Sequence, residues 1–403
     1  MKKIKLLFDM EVLSTSYEKG TGVYRVSDVL FHKLVSNPQI DVYPLVTLKN
    51  GNIDGYLQYT GLPDLVNKII YMPLLKSTTK WDSLYLRVRS FILNNVLRIK
   101  YKSIFSRFDC YFSPFNPIPP VVEKSNLKTL MIIHDLITIF YPYDSAKKFV
   151  KKFTQWMKRT NADSYLAVSN YTIQEFLRFR PELKSKQIHK MYLGADERFK
   201  KITDASVISN VKAKYNISYD KYFLGVSELT TRKNFVHLLE SFVKFLEETK
   251  AEDICLVLVG PVRKGYEAVA KQVANLDKYK DKIIQTGYVD NEDLAPLYNG
   301  ALAFVYPSLY EGFGLPVLEA MQCGTPVISA DNTSLPEVGG DAVVYISGQD
   351  EKQTAEVLAK LYKDSDLRLE LSNKGLDRAK EFNWNKTTDI LIDAIFKQSN
   401  KDK

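Results

Sequence analysis

Two glutamates, Glu311 and Glu319, stand eight positions apart, with Gly312, Phe313, Gly314, Leu315 and Pro316 between them. Gly-x-Gly ahead of a proline reads as a turn that delivers a helix. Glycine reaches conformations and close approaches closed to other residues, and Pro316 suits the first helical position, where its missing N–H costs nothing. The preceding run LAFVYPS reads as a strand, while Gly324 and Pro326 stop the helix. Such a turn presents free N–H groups and the positive end of a helix dipole at the carboxyl end of a strand, which is the chemistry that holds a phosphate. A carboxylate on either side can accept hydrogen bonds from vicinal hydroxyls. Phosphate and diol together describe a nucleotide-sugar.

Other residues suited to the same ligand lie elsewhere in the chain. In SELTTRKNF, Arg232 and Lys233 open a second helix pattern. Cations are disfavoured at that end of a helix dipole, and an anion between them would remove the conflict. His134, one of four histidines, ends the run TLMIIHD at the strand terminus where open α/β sheets bind ligands, although a lone histidine there is also an ordinary structural residue. Gly20 and Gly22 precede a helix in EKGTGVYRVSDVL, but Arg25 stands where a dinucleotide fingerprint needs its third glycine. Tyr24 and Arg25 either face a cleft or simply begin a helix.

The elements that must position these groups alternate strand, turn and helix in two successive series. KIKLLFD, DCYFS, TLMIIHD, SYLAVS and IHKMYLG form the first; KYFLGVS, ICLVLVG, KIIQTGYV, LAFVYPS, PVISA and AVVYIS form the second. Continuous apolar runs of this kind suit parallel strands buried on both faces, so the expected fold class is α/β, two doubly wound Rossmann-like domains. At 403 residues, two domains are also what size predicts. The expected division is 1–200, 201–384, and a closing helix and tail over 385–403 that crosses back to the first domain, with the seam in the polar stretch between Asp196 and Asn216.

Composition, 45% hydrophobic and 26% charged, is that of a globular protein. Lys5, Asp9 and Glu11 interrupt the amino-terminal apolar run, which reads as a first strand rather than a signal peptide. Three scattered cysteines show no metal-ligand spacing and fit a reducing cytoplasm. The net charge of +9 is uneven: residues 1–200 hold 31 Lys and Arg against 17 Asp and Glu. Two stretches, RVRSFILNNVLRIKYKSIFSR and KKFVKKFTQWMKR, mix basic, aromatic and aliphatic residues at helical spacing. They read either as membrane-facing surfaces or as solvated faces of core helices. No nucleic-acid motif accompanies the charge.

The stretch GYVDNEDLAPLYNGALAFVYPSLYEGFGLPVLEAMQCGTPVISADNTSLPEVGGDAV resembles, in order and spacing, the E-x7-E region of the retaining glycosyltransferases of family 4, the glycosyl transferases group 1, with GT-B architecture. The resemblance runs through the second half of the chain. It implies a donor site of Arg232, Lys233, Glu311, Gly312, Phe313, Gly314, Leu315 and Glu319, with the Gly20 and Gly22 loop nearby and the base read by backbone at Tyr288 and Val289. It places His134 against the transferred sugar and gives Glu337 a matching position without a clear role. The implied reaction moves a hexose from a nucleoside diphosphate to a hydroxyl with retention. His134, Glu311, Arg232 and Lys233 are its catalytic group; no metal and no cofactor beyond the donor are expected. The expected acceptor is a lipid-linked or growing cell-surface glycan, the expected location the cytoplasm or the inner membrane face, and a fainter likeness around IHDLITIFYP points to GDP-mannose. A non-catalytic nucleotide-sugar scaffold and a GT-B phosphorylase are the competing classes.

Overall fold

The computed structural model describes residues 3–14, 22–46, 52–72, 101, 103–261 and 266–399. Gly20 and most of the stretch 87–107 lie outside the described residues.

Two parallel sheets carry the fold. The first contains β1 (Ile4–Asp9), β2 (Ile40–Val46), β3 (Ile70–Tyr71), β4 (Cys110–Ser113), β5 (Lys128–Ile133), β6 (Ser164–Ala167) and β7 (Gln187–Lys190), in the order β3-β2-β1-β4-β5-β6-β7. The second contains β8 (Lys221–Val226), β9 (Ile254–Val259), β10 (Ile283–Gly287), β11 (Ala303–Tyr306), β12 (Val327–Ala330) and β13 (Val343–Ile346), in the order β10-β9-β8-β11-β12-β13. Helices cover both faces, so β4, β6, β9, β11 and β12 are buried along their whole length and had to be written as unbroken apolar runs. In each sheet the order reverses once, between β1 and β4 and between β8 and β11. That reversal opens the crevice at the carboxyl ends of the strands where ligands of such sheets bind.

Two strands escape the sequence reading. β2, IDVYPLV, contains Pro44, which lacks a ladder donor. Leu45 turns its carbonyl to β1 through Met10 N, so Pro44 faces the other side, where β3 begins only opposite Leu45. No ladder bond is lost there. β3 is a two-residue edge strand, too short to carry any periodic signal.

The chain passes between domains twice. It leaves the first sheet after β7 and enters the second domain through the helix Ala205–Lys214. It returns near residue 383, and the last helix, Trp384–Ser399, packs on β4, β5, β6 and the helix Gly22–Val35. Thr387 Oγ1 donates to the Tyr192 carbonyl (2.7 Å) and Lys33 Nζ to Asn385 Oδ1 (2.7 Å), which fastens this helix to the first domain. One hydrophobic cluster therefore runs from Leu6 and Phe8 under the first sheet to Phe304 and Val317 in the second domain. The strand ends of both sheets are thereby held facing one cleft.

Candidate active site

Glu311 follows β11 and is buried. Its Oε1 accepts from Arg232 Nη1 (2.7 Å), Lys233 Nζ (2.7 Å), Tyr306 OH (2.8 Å) and Ser308 Oγ (2.5 Å). Every one of these bonds ends on Oε1, and no side chain among the described residues donates to Oε2. Arg232 also donates to the Tyr310 carbonyl (2.6 Å), and Lys233 Nζ lies 4.9 Å from the centroid of the Tyr306 ring. Burial alone would raise the Glu311 pKa, but Arg232 and Lys233 outweigh it and bring it down to about 2. Lys233 goes the other way: burial lowers its pKa to about 8 despite Glu311 beside it. Glu311 thus stays ionised across the ordinary pH range, while Lys233 titrates just above neutrality.

Arg232 and Lys233 do not open the long helix, as their sequence context suggests. They form a single 3-10 turn, Thr231–Lys233, and the helix Phe235–Thr249 starts only after Asn234, which is left-handed at φ 60°. Asn234 tolerates that conformation because its Nδ2 is anchored to the Gly348 and Pro307 carbonyls (2.9 and 3.3 Å). The kink aims both cations at the β8–β11 crevice. The anion that resolves their mutual repulsion is Glu311 itself.

The two glycines of the turn have different reasons to be glycine. Gly314 is held at φ 120° and caps the helix Leu315–Gln322, with Pro316 second rather than first in it. Gly312 lies against the other domain: a Cβ there would sit 2.1 Å from the His134 carbonyl oxygen and 2.8 Å from Asp135 Cβ. Its own carbonyl accepts from Ser169 Oγ (2.7 Å) and Thr172 Oγ1 (3.1 Å) of the first domain. Phe313 is buried and meets Tyr192 and Phe382 edge-on or tilted. Gly22, the first residue of its helix, lies over Leu315, whose Cδ1 would stand 3.7 Å from an added methyl.

His134 is buried at the end of β5, and its Nε2–H donates to the Pro114 carbonyl (2.7 Å). Burial holds its pKa down at about 4, so the ring is neutral. Asp135 next to it feels Arg232, Glu311 and Lys233, but burial dominates and raises its pKa. Glu319 belongs to a separate cluster: Oε1 takes Arg25 Nη1 from the first domain (2.5 Å) and Oε2 takes Tyr298 OH (3.4 Å). Leu315, Glu319 and Arg25 line a cavity of about 680 Å³ that also includes Tyr24, Arg198 and Asn291. Tyr288, at the end of β10, is 67% exposed, and Val289 is buried in the core.

Residues 207–378 match the family model of the glycosyl transferases group 1. That match lies wholly within the second domain, which is similar to this family. Among curated relatives, O-antigen chain mannosyltransferase B of Escherichia coli is 40% identical over 186 residues, covering 46% of this chain and 48% of that protein. Serotype-specific mannosyltransferase WbdA of Escherichia coli is 28% identical over 284 residues, covering 68% of this chain and 34% of that protein. The chain thus spans about half the length of these relatives, or less. Among solved structures, HepE of Anabaena in complex with UDP and glucose aligns at TM-score 0.70 and 16% identity, over 98% of this chain and 100% of that one. WaaG, a glycosyltransferase involved in lipopolysaccharide biosynthesis, aligns at 0.64 and 14%, over 97% and 99%. At these identities the likeness is one of fold, the two facing Rossmann-like domains of GT-B proteins.

Several contacts around the second domain carry no signal in the sequence. Tyr306 and Ser308 ring Glu311, and Thr333 Oγ1 accepts the Glu311 N–H (3.1 Å). Thr333 sits at φ 52°, a conformation that strains a β-branched residue by about 1–2 kcal/mol. Glu337, without a role from sequence, joins the domains. Its carboxylate accepts from Asn170 N (2.8 Å) and Tyr171 N (2.7 Å), the first N–H groups of the helix Asn170–Phe179, and from Tyr192 OH (3.0 Å). Tyr310 OH reaches Glu175 of the same helix (3.2 Å). Glu337→Ala removes a helix cap that comes from another domain. The expected loss is about 1–2 kcal/mol of stability, read as a lower denaturant midpoint; an unchanged midpoint would mean that the cap is not formed in solution.

Proposed function

We propose that this protein is a retaining hexosyltransferase that uses a nucleoside-diphosphate sugar, with GDP-mannose the first donor to test and an O-antigen-type or related cell-surface glycan as acceptor. The observation that carries the proposal is the meeting of Arg232, Lys233 and Glu311 at the β8–β11 crevice, beside the glycine turn and its helix N-terminus. The names of the mannosyltransferase relatives support the sugar and the glycan class.

In this reading the diphosphate takes up the Arg232 and Lys233 donors and the N–H groups at Gly314 and Leu315. Glu311 Oε2 accepts a hydroxyl of the sugar, and Glu319 exchanges Arg25 for the ribose diol. The bond between the anomeric carbon and the phosphate oxygen breaks as the acceptor hydroxyl attacks from the same face, and its proton passes to the departing phosphate oxygen. The two cations stabilise the charge that develops on the leaving group, the kind of preorganised electrostatic term that dominates many enzymes. No metal enters this scheme.

A thermal-shift panel of GDP-, UDP- and dTDP-sugars, run with chelator, tests it. A donor at a hundred times its dissociation constant adds about 2.7 kcal/mol, a rise of several degrees. GDP-mannose should give the largest shift, and labelled sugar should then move to glycan acceptors. No shift with any donor, with or without magnesium, would overturn the proposal; a shift without transfer to any acceptor would favour the scaffold reading.

The same reading seats the enzyme on an anionic membrane. In the helix Lys147–Arg159, Phe153 and Met157 are buried, while Lys147, Lys148, Lys151, Lys152 and Phe149 are exposed, with Tyr143 exposed just before it. Each lysine near an anionic surface contributes about 1 kcal/mol. The double variant Lys151→Glu/Lys152→Glu should lose co-sedimentation with anionic vesicles. Full activity on soluble acceptors with no vesicle binding by the wild type would count against this part.

A further inference from the structure

A second cavity lies one strand beyond the crevice. It has a volume of about 580 Å³ and is lined by Asp331 and Asn332 after β12, Tyr345 at the end of β13, Gln353, Leu309 from the loop that leads to Glu311, and Tyr141 reaching across from the first domain. It therefore spans the interdomain cleft and shares the 308–311 loop with the donor site.

Its chemistry is opposite to that of the donor site. Arg232 and Lys233 face the crevice, and Arg25, Lys33 and Arg198 line the larger cavity, whereas no lysine, arginine or histidine lines this one. The Asp331 carboxylate has no hydrogen-bond or ion-pair partner among the described residues, so an unneutralised negative charge faces the cavity. With no cation on the lining to offset it, this carboxylate disfavours an anionic ligand. A neutral polyhydroxyl ligand is suited on each count. Asp331 accepts from vicinal hydroxyls; Gln353, whose Oε1 is occupied by Ser347 N (2.7 Å), has its amide N–H groups to donate. The rings of Tyr141 and Tyr345 offer apolar faces to the C–H surface of a sugar. The volume lies within the range of small-molecule sites and exceeds what a single sugar would fill.

The cavity is also wired to the reaction centre. Asn332 Nδ2 donates to the Ser308 carbonyl (3.0 Å), and its Oδ1 accepts from Thr333 Oγ1 (3.1 Å), the atom that receives the Glu311 N–H. Strained Thr333 thus lies between this wall and Glu311.

We propose that this cavity is a subsite for a neutral oligosaccharide segment of the acceptor, one or more units from the attacked hydroxyl, an assignment that rests on the transferase reading above. It selects for an extended neutral glycan and against a phosphorylated one.

Isothermal titration of the full chain with α-linked mannose mono-, di-, tri- and tetrasaccharides tests this without requiring turnover. Affinity should rise at least tenfold from the mono- to the trisaccharide and should be unaffected by saturating inorganic pyrophosphate. Tyr141→Ala and Asp331→Ala should each remove that gain while leaving the thermal shift given by the donor unchanged; Asp331→Asn should keep part of it. Length-independent binding, displacement by pyrophosphate, or variants that bind like wild type would overturn the subsite. If oligosaccharides bind here as described and no donor binds, the subsite stands and the transferase reading falls. If transfer proceeds while both variants bind like wild type, the reverse holds.

Discussion

Lys233→Met is expected to lower kcat/KM about 10²–10³-fold, the loss of about 2.7–4 kcal/mol of transition-state stabilisation typical of removing one preorganised donor from a developing charge. Lys233 is buried, so its charge acts at low dielectric, and it reaches the crevice from the 3-10 turn before its helix. The same variant also strips one of two cations from a buried carboxylate, which by itself destabilises the fold. The double variant Lys233→Met/Glu311→Gln separates the two effects. If the cost to the fold comes from a carboxylate left short of a cation, stability returns in the double variant. Its activity stays low, since Glu311 is itself placed on the donor sugar, so the donor affinity of folded Lys233→Met, weakened or unchanged, decides whether Lys233 grips the diphosphate.

The pH dependence gives a second readout of the same residue. In the free protein Lys233 loses its proton near pH 8, because burial disfavours the charged form. A bound diphosphate requires that proton and raises the pKa. Donor affinity should therefore be flat below about pH 8 and weaken close to tenfold per pH unit above it. Glu311, held near pKa 2, contributes nothing to that window. A donor dissociation constant that is flat from pH 7 to 9.5 would remove Lys233 from the diphosphate site.

Gly312→Ala should be nearly as damaging for a different reason. The added methyl would meet the His134 carbonyl at 2.1 Å, and that oxygen belongs to the backbone at the end of β5, so it cannot swing aside. Either the core absorbs an overpacking cost of about 1–3 kcal/mol, or the domains part and lose the Ser169 and Thr172 bonds to Gly312, worth about 1 kcal/mol each. A shift of about 1 Å between the donor and acceptor sides is enough to cost about 100-fold in rate. The expected result is at least that loss of activity, with a small-angle scattering radius larger than wild type and a donor-induced thermal shift retained, since the diphosphate contacts proposed above lie within the second domain. Wild-type kcat/KM in this variant would mean that the active form does not close at this contact.

Much of the architecture is legible in the chain because it is enforced locally. Strands buried on both faces must be continuous apolar runs, so β4, β6, β9, β11 and β12 stand out as such runs, and six other described strands are legible as shorter apolar or β-branched segments before a turn. β2 hides because Pro44 breaks the pattern at the one side where no ladder bond is lost, and β3 because two residues carry no period. The turn before the helix Leu315–Gln322 is equally legible: φ 120° at Gly314 permits only glycine, and a proline near a helix start is a local rule. The 3-10 turn at Arg232 and Lys233 is not legible, because the break at Asn234 is held by carbonyls of Pro307 and Gly348, far along the chain.

The sequence by itself determined two Rossmann-like halves, a glycine turn that delivers a helix N-terminus, and the residue types on which the proposed donor site rests, since each depends on neighbours a few positions away. Only the tertiary structure decided what those residues do to one another. Glu311 meets Arg232 and Lys233 because β8 and β11 are adjacent in the second sheet. Gly312 is a contact glycine because the first domain closes on it. Glu337 caps a helix more than 160 residues earlier in the chain. Such partners are fixed by strand order and by the apposition of two domains, and neither leaves a period or a spacing in the chain.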